Sequence, residues 1–129
     1  MKKIVIIGAG SMGSAFAVPC IENKNDVTVV GTHLEDDLIK NIKLNNQIHP
    51  ALKTQLPKEI KFEKYENLQA ILEKKPDIIV CGVSSVGIEW FVKQISKNYK
   101  KKLPIVLLTK GLSIFDNELT TLSDKIRNL

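Results

Sequence analysis

Cysteine and aromatic residues are scarce in this chain, and long apolar runs are missing. Two cysteines among 129 residues, Cys20 and Cys81, are too few for a disulfide framework, so a reducing cytoplasmic setting is the expectation. Aromatic residues make up 5% of the chain, with one tryptophan. Base-stacking nucleic-acid binders interleave aromatic with basic side chains, and this sequence does not. No run of about 18 apolar residues is available to span a membrane. Met1-Lys2-Lys3 starts like a signal peptide, but the apolar stretch behind it is short and Gly8 opens a turn. The two histidines and two cysteines are scattered, with no short ligand pair, so no metal site is expected. Nothing forces a Ser–His–Asp arrangement.

The composition that remains is that of a globular domain. Hydrophobic residues are 43% and charged residues 26%, and the length suits one domain with its own core. Net charge is +5, from 19 basic and 14 acidic residues. The lysines are spread along the chain, and the one run, Lys100-Lys101-Lys102, reads as a solvated face.

Short apolar runs alternate with helical patterns. Lys2–Ile7 is β-branched and apolar on both faces, as in a strand buried within a parallel sheet. Ser11 to about Asn23 reads as a helix, with Pro19 expected to kink or loosen it. A second strand, Asp26–Gly31, precedes a helix marked by Leu38, Ile39 and Ile42. Residues 46–59 hold Pro50 and Pro57 with no clean period and read as an irregular excursion. Ile60–Tyr65 is a weaker strand, Leu68, Ile71 and Leu72 mark a short helix, and Asp77–Val83 is again fully apolar. Ile88, Phe91, Val92 and Ile95 fall at i, i+3, i+4, i+7, an amphipathic helix. Ile105–Leu108 is a fifth strand, and Leu119, Leu122, Ile126 and Leu129 suggest a terminal helix. The alternation predicts an α/β fold of the Rossmann type: a doubly wound, mainly parallel sheet between two helical layers.

The sharpest motif is Gly8-Ala9-Gly10-Ser11-Met12-Gly13, spaced G-x-G-x-x-G. Gly8 permits the tight turn, Gly10 lets a pyrophosphate approach the backbone, and Gly13 lets helix and strand pack closely. The following helix offers free N–H groups and a partial positive charge. Glycines often only punctuate turns, but here the motif directly follows a strand and opens a helix, which favours dinucleotide binding.

Three further strand ends carry polar residues. The carboxylate expected after the second strand is missing from Gly31-Thr32-His33, and Glu35 comes slightly late. With no acidic residue there, both NAD and NADP remain admissible. Thr32 or His33 is suited to hydrogen-bond a ribose, although a loop histidine is as readily free of any ligand. Val83 and Ser84 follow the fourth strand, where they either line the nicotinamide side or cap a helix, and both roles are compatible. Lys110 follows the fifth strand, as a point charge for a phosphate or as an ordinary solvated lysine. His49-Pro50 sits in the excursion, with no chemistry forced on it, and both cysteines fall on core patterns.

Taken in order, Gly8-Ala9-Gly10-Ser11-Met12-Gly13-Ser14-Ala15, Val29-Val30-Gly31-Thr32, His49-Pro50, Gly82-Val83-Ser84, Lys110-Gly111-Leu112 and Phe115-Asp116-Asn117 resemble the N-terminal domain of NAD(P)-dependent glycerol-3-phosphate dehydrogenases, most of all the archaeal-type members. The likeness covers essentially the whole chain. It implies that Ser11 and Met12 touch the cofactor pyrophosphate and that Thr32 and His33 lie at the adenosine ribose. It implies that Lys110 contacts both cofactor and glycerol phosphate. Pro19 is at home in this subgroup. The family reaction is reversible hydride transfer between a nicotinamide cofactor and the dihydroxyacetone phosphate/glycerol 3-phosphate pair. In the family an all-helical C-terminal domain carries the catalytic lysine, and this sequence ends before it. The resemblance thus implies a single cofactor-binding domain over residues 1–129, with no catalytic residue of its own, that binds dinucleotide and turns over poorly alone.

Two other functions fit the same residues. One is a nucleotide-sensing regulatory module without chemistry; the other is the first domain of a different two-domain NAD(P) dehydrogenase. A sheet left uncovered at its last strand also predicts weak homodimerisation.

Overall fold

The structure is a computed structural model that describes residues 1–98, 104–108, 112–115 and 118–121. The elements run β1 (Lys3–Ile7), α1 (Ser11–Glu22), β2 (Asp26–Val30), α2 (Asp36–Leu44), β3 (Ile48–His49), β4 (Thr54–Gln55), β5 (Lys61–Glu63), α3 (Leu68–Glu73), β6 (Ile78–Cys81), α4 (Ile88–Asn98), β7 (Ile105–Leu107), β8 (Leu112–Phe115) and β9 (Glu118–Thr121). Single 3-10 turns at Tyr65–Asn67 and Ser85–Gly87 lead into α3 and α4.

Five strands form one sheet in the order β5-β2-β1-β6-β7, and each neighbouring pair is parallel. The chain therefore leaves β1 in one direction for β2 and β5 and returns past it to β6 and β7. That reversal is the topological switch point of a doubly wound fold, where ligands bind beyond the carboxyl ends of the strands.

Burial explains why the strands read as unbroken apolar runs. Side chains alternate across a pleat, and both faces of this sheet are covered. Ile4 and Ile6 face a cluster with Val27, Val29, Ala17, Ile39 and Ile42, beneath α1 and α2. Val5 and Ile7 face the opposite cluster, with Ile79, Leu68, Leu72, Ile88 and Phe91, beneath α3 and α4. The expected three-layer arrangement is present.

Two expectations need amendment, one in the excursion and one at the terminal helix. The excursion at 46–59 is not shapeless. β3 and β4 pair antiparallel, pairing His49 with Thr54, and Leu56 and Ile60 are buried in the α1/α2 cluster. Pro19 lies inside α1, which runs to Glu22, close to the expected end near Asn23. Pro19 and Ala15 are both exposed, so water can take the Ala15 carbonyl that proline leaves unbonded. The terminal helix begins wrongly: Leu119 lies in β9, which pairs antiparallel with β8. Glu118-Leu119-Thr120-Thr121 carries two β-branched threonines, and only Asp116 and Asn117 separate it from β8 in sequence, a hairpin signal that outweighs one helical spacing. Leu122, Ile126 and Leu129, the rest of that expectation, lie outside the described residues.

Candidate functional site

The glycine turn is built backbone against backbone. Gly8 has φ +112°, a conformation that side chains rarely adopt. A Cβ on Gly8 would also lie 2.6 Å from the Gly82 carbonyl. At Gly13 a Cβ would run into the Gly8 carbonyl oxygen, so only glycine lets α1 sit this close to β1. Gly10 differs, since a Cβ there would meet nothing within 4 Å. Its hydrogen faces open space in a cleft, as a backbone prepared for a close ligand requires.

Three side chains from three segments hold the peptide groups of Ala9. Ser14 Oγ donates to the Ala9 carbonyl at 2.9 Å, and His49 Nε2 lies 2.9 Å from the same oxygen. His49 Nδ1 accepts from the N–H groups of Ala51 at 3.1 Å and Leu52 at 3.3 Å. A nitrogen that accepts carries no proton, so the ring proton sits on Nε2 and is donated to Ala9. His49 is 1% exposed and Ser14 is fully buried, and both are fully engaged. The Ala9 N–H donates to Glu35 Oε1 at 3.0 Å, and the Thr32 N–H donates to the same oxygen at 2.9 Å. Glu35 thus clips the turn after β1 to the turn after β2. This amends the view of the second strand end as lacking a carboxylate. The turn from Thr32 to Glu35, closed by Glu35 N–H to the Thr32 carbonyl at 3.0 Å, folds the late residue back into place.

α1 begins at Ser11 with no side chain capping it and no acidic residue in its first turn. Its first N–H groups point along the axis without intrahelical partners, beside the positive end of the helix dipole. A cavity of about 650 Å³ opens in front of them. Gly10, Ser11, Met12, Thr32, His33, Val83 and Ser84 all line it. Of the ten positions singled out in the sequence, seven therefore share one cleft, while Gly8 and Gly13 shape the turn behind it. Lys110, the tenth, lies outside the described residues. Ser84 precedes the 3-10 turn into α4 without a side-chain cap bond, so its capping alternative is not realised.

The cleft includes residues that the sequence did not single out. Trp90 on α4 and Leu34 on the loop after β2 line it as well, and Val86 joins them from the same strand-end segment, Val83-Ser84-Ser85-Val86-Gly87, that the sequence offers as a site candidate. Leu34 and Val86 are 82% and 91% exposed, so the cleft has an apolar rim. A signal existed for Trp90: it is a large apolar residue off the core stripe of Ile88, Phe91, Val92 and Ile95. Among the described residues, no group of three or more metal-ligating side chains occurs, and no helix is long and apolar enough to cross a membrane.

Comparison with known proteins gives this geometry a lineage. Residues 3–129 match the family described as NAD-dependent glycerol-3-phosphate dehydrogenase N-terminus. The chain is 34% identical over 126 residues to the NADP(+)-dependent glycerol-3-phosphate dehydrogenase of Archaeoglobus fulgidus, covering 98% of this chain and 36% of that one. It is 31% identical, with the same coverage, to the glycerol-3-phosphate dehydrogenase [NAD(P)+] of Mesoplasma florum. It spans about a third of the length of these relatives. A glycerol-3-phosphate dehydrogenase structure from Plasmodium falciparum shares the fold, with a TM-score of 0.79 at 21% identity over 98% of this chain and 37% of that one. One from Coxiella burnetii gives 0.73 at 24% identity over 87% and 33%. A parallel sheet with this switch point, a glycine turn open at Gly10 and a family match over nearly every residue lead to one conclusion: the chain belongs to the NAD-dependent glycerol-3-phosphate dehydrogenase family, as its N-terminal, nicotinamide-dinucleotide-binding part.

Proposed function

We propose that this chain holds NAD or NADP across its cleft and serves hydride transfer between the nicotinamide and the dihydroxyacetone phosphate/glycerol 3-phosphate pair. The observation that carries the binding half is Gly10, whose missing side chain leaves open space in front of the uncapped start of α1. The pyrophosphate takes the N–H groups of Ser11, Met12 and Gly13, where a helix N-terminus favours an anion. The adenosine ribose lies by Thr32 and His33, and the nicotinamide side by Val83 and Ser84. When bound, the nicotinamide supplies a carbon that accepts or donates hydride. The residues of this chain fix its position, and positioning supplies much of the rate.

Lys110 is assigned to cofactor and substrate phosphate on the family resemblance. The catalytic lysine and most of the substrate site are assigned to an all-helical domain that the family carries after this one. A chain of 129 residues with two cysteines has no disulfide framework to maintain, which supports a reducing, cytoplasmic setting.

Calorimetric titration with NADH and NADPH tests this reading. Saturable binding by the wild-type chain, lost on Gly10→Val, is expected. A chain that takes up neither cofactor overturns it.

A further inference from the structure

The chain holds its sulfur in two cysteines and two methionines, and the fold sorts them by access. Cys20 is 8% exposed and Cys81 is fully buried, so neither thiol is open to an oxidant in solution. Burial also pushes the Cys20 thiol up, which keeps that sulfur protonated and a poor nucleophile. Met1 is exposed at the chain terminus, away from any element. Met12 is different. It is 51% exposed, stands in the first turn of α1 and lines the cleft beside Gly10 and Ser11. An oxidisable thioether is therefore open to water at the place assigned to the pyrophosphate.

Its place in the helix gives this sulfur leverage. Helical side chains lean back toward the N-terminus of their own helix, so Met12 leans over the turn that carries the free N–H groups. No side chain caps α1 and no acidic residue stands in its first turn, so nothing in that turn competes with an incoming anion. A thioether preserves this state, because its sulfur is a weak acceptor. A sulfoxide does not. Its oxygen is polar, accepts hydrogen bonds strongly and carries negative partial charge. Placed at the helix start, that oxygen competes for the same N–H groups and opposes a second negative group beside it. The rest of the cleft rim is apolar, with Leu34 and Val86 exposed, so the change in polarity falls on Met12 alone.

We propose that Met12 is a redox-responsive modification site: a peroxide converts it to the sulfoxide, and the sulfoxide weakens binding of the dinucleotide. The inference rests on the dinucleotide reading above and adds a regulation to it. The sulfur lone pair attacks one oxygen of hydrogen peroxide. The S–O bond forms as the O–O bond breaks, and the departing hydroxide takes the proton of the transferred oxygen and leaves as water. Sulfur gives up two electrons and the peroxide gains them. A thiol-fed methionine sulfoxide reductase reverses the change, releasing the oxygen as water while two thiols become a disulfide.

Hydrogen peroxide on the wild-type chain, followed by peptide mass spectrometry and calorimetry with NADH, tests the site. Met12 should convert at a rate comparable to that of Met1, while Cys20 and Cys81 stay unmodified. The sulfoxide chain should bind NADH about tenfold more weakly, the loss of about one charge-assisted hydrogen bond, with its melting curve intact. Methionine sulfoxide reductases A and B with dithiothreitol should restore the affinity. Saturating NADH should slow conversion of Met12 and leave that of Met1 unchanged. Met12→Leu, judged against its own untreated state, should keep its NADH affinity within about twofold after peroxide. If NADH binds the untreated and the sulfoxide chains equally, or gives Met12 no protection, the switch is refuted and the dinucleotide site stands. A loss that persists in Met12→Leu, or one that comes with unfolding, refutes it as well. If the untreated chain takes up no NADH, both readings fall.

Discussion

His49 Nε2 lies 2.9 Å from the carbonyl oxygen of Ala9, although 40 residues separate them in sequence. Through this bond the excursion between α2 and β5 reaches back to hold the turn that the cofactor sits on. His49 is a positioning residue, since its ring nitrogens are spent on main chain and none faces the cleft. His49→Leu keeps the bulk but leaves the N–H groups of Ala51 and Leu52 without their acceptor. A loss of about 1–3 kcal/mol is expected in urea denaturation, and an unchanged midpoint would contradict the assignment.

Glu35 acts through one oxygen on two amides, so its variants should separate charge from geometry. Glu35→Gln retains a carbonyl oxygen that can accept both bonds and should lose about 1 kcal/mol. Glu35→Ala removes the clip and should lose about 3 kcal/mol, with weaker NADH binding. Equal stabilities of the two variants would show that the clip is idle.

Gly10 and Gly13 should fail in opposite ways. Gly10→Ala places its Cβ in open space, so stability should stay within about 0.5 kcal/mol while NADH affinity drops at least tenfold. Gly13→Ala drives its Cβ into the Gly8 carbonyl and should lose about 3 kcal/mol or fail to fold. Calorimetry on the first and denaturation of the second check the pair.

Burial pushes the Cys20 thiol above its usual range. The folded chain therefore holds Cys20 protonated where the unfolded chain would ionise it. This contribution to stability is complete below the usual thiol range and is lost as the pH rises towards the raised value. Cys20→Ala should flatten the alkaline limb of the stability profile relative to wild type. Alkylation of Cys20 at neutral pH should be slow until denaturant is added. Rapid labelling of the native chain would refute the burial.

The parts of this fold that local rules control were readable in the sequence. β1, β2 and β6 are buried on both faces, so Ile4–Ile7 and Ile78–Cys81 carry an unbroken apolar signal and Val27–Val30 one interrupted only by Thr28. The glycine turn was equally plain, because its spacing follows from backbone collisions that permit no other residue at Gly8 and Gly13. Glu35 stands slightly late for the end of the second strand, and only the Thr32–Glu35 turn, which reverses the chain, brings its carboxylate back. His49 gave no signal of its role, since a hydrogen bond between segments 40 residues apart leaves no periodicity. Leu119 is ambiguous for the opposite reason: a few apolar residues at helical steps are also compatible with a short strand, and pairing with β8 decides between them. Trp90 and Tyr65 come together through tertiary packing of α4 on α3, which no local window contains.

The seam where Gly8, Gly13 and Gly82 meet has a consequence for how such a chain can change over time. A Cβ at Gly82 would stand 3.2 Å from the Gly13 Cα and 3.3 Å from the Gly8 oxygen, as those at Gly8 and Gly13 would strike main chain in turn. Main chain has no alternative rotamer with which to make room. Gly8 is held against Gly82, Gly13 against Gly8, and Gly82 against both, so a side chain at Gly8 or Gly13 cannot be relieved by a compensating side-chain change at another of the three. Variation among chains of this build is steered away from the seam and onto the rim, where Leu34 and Val86 are free to alter what the cleft admits.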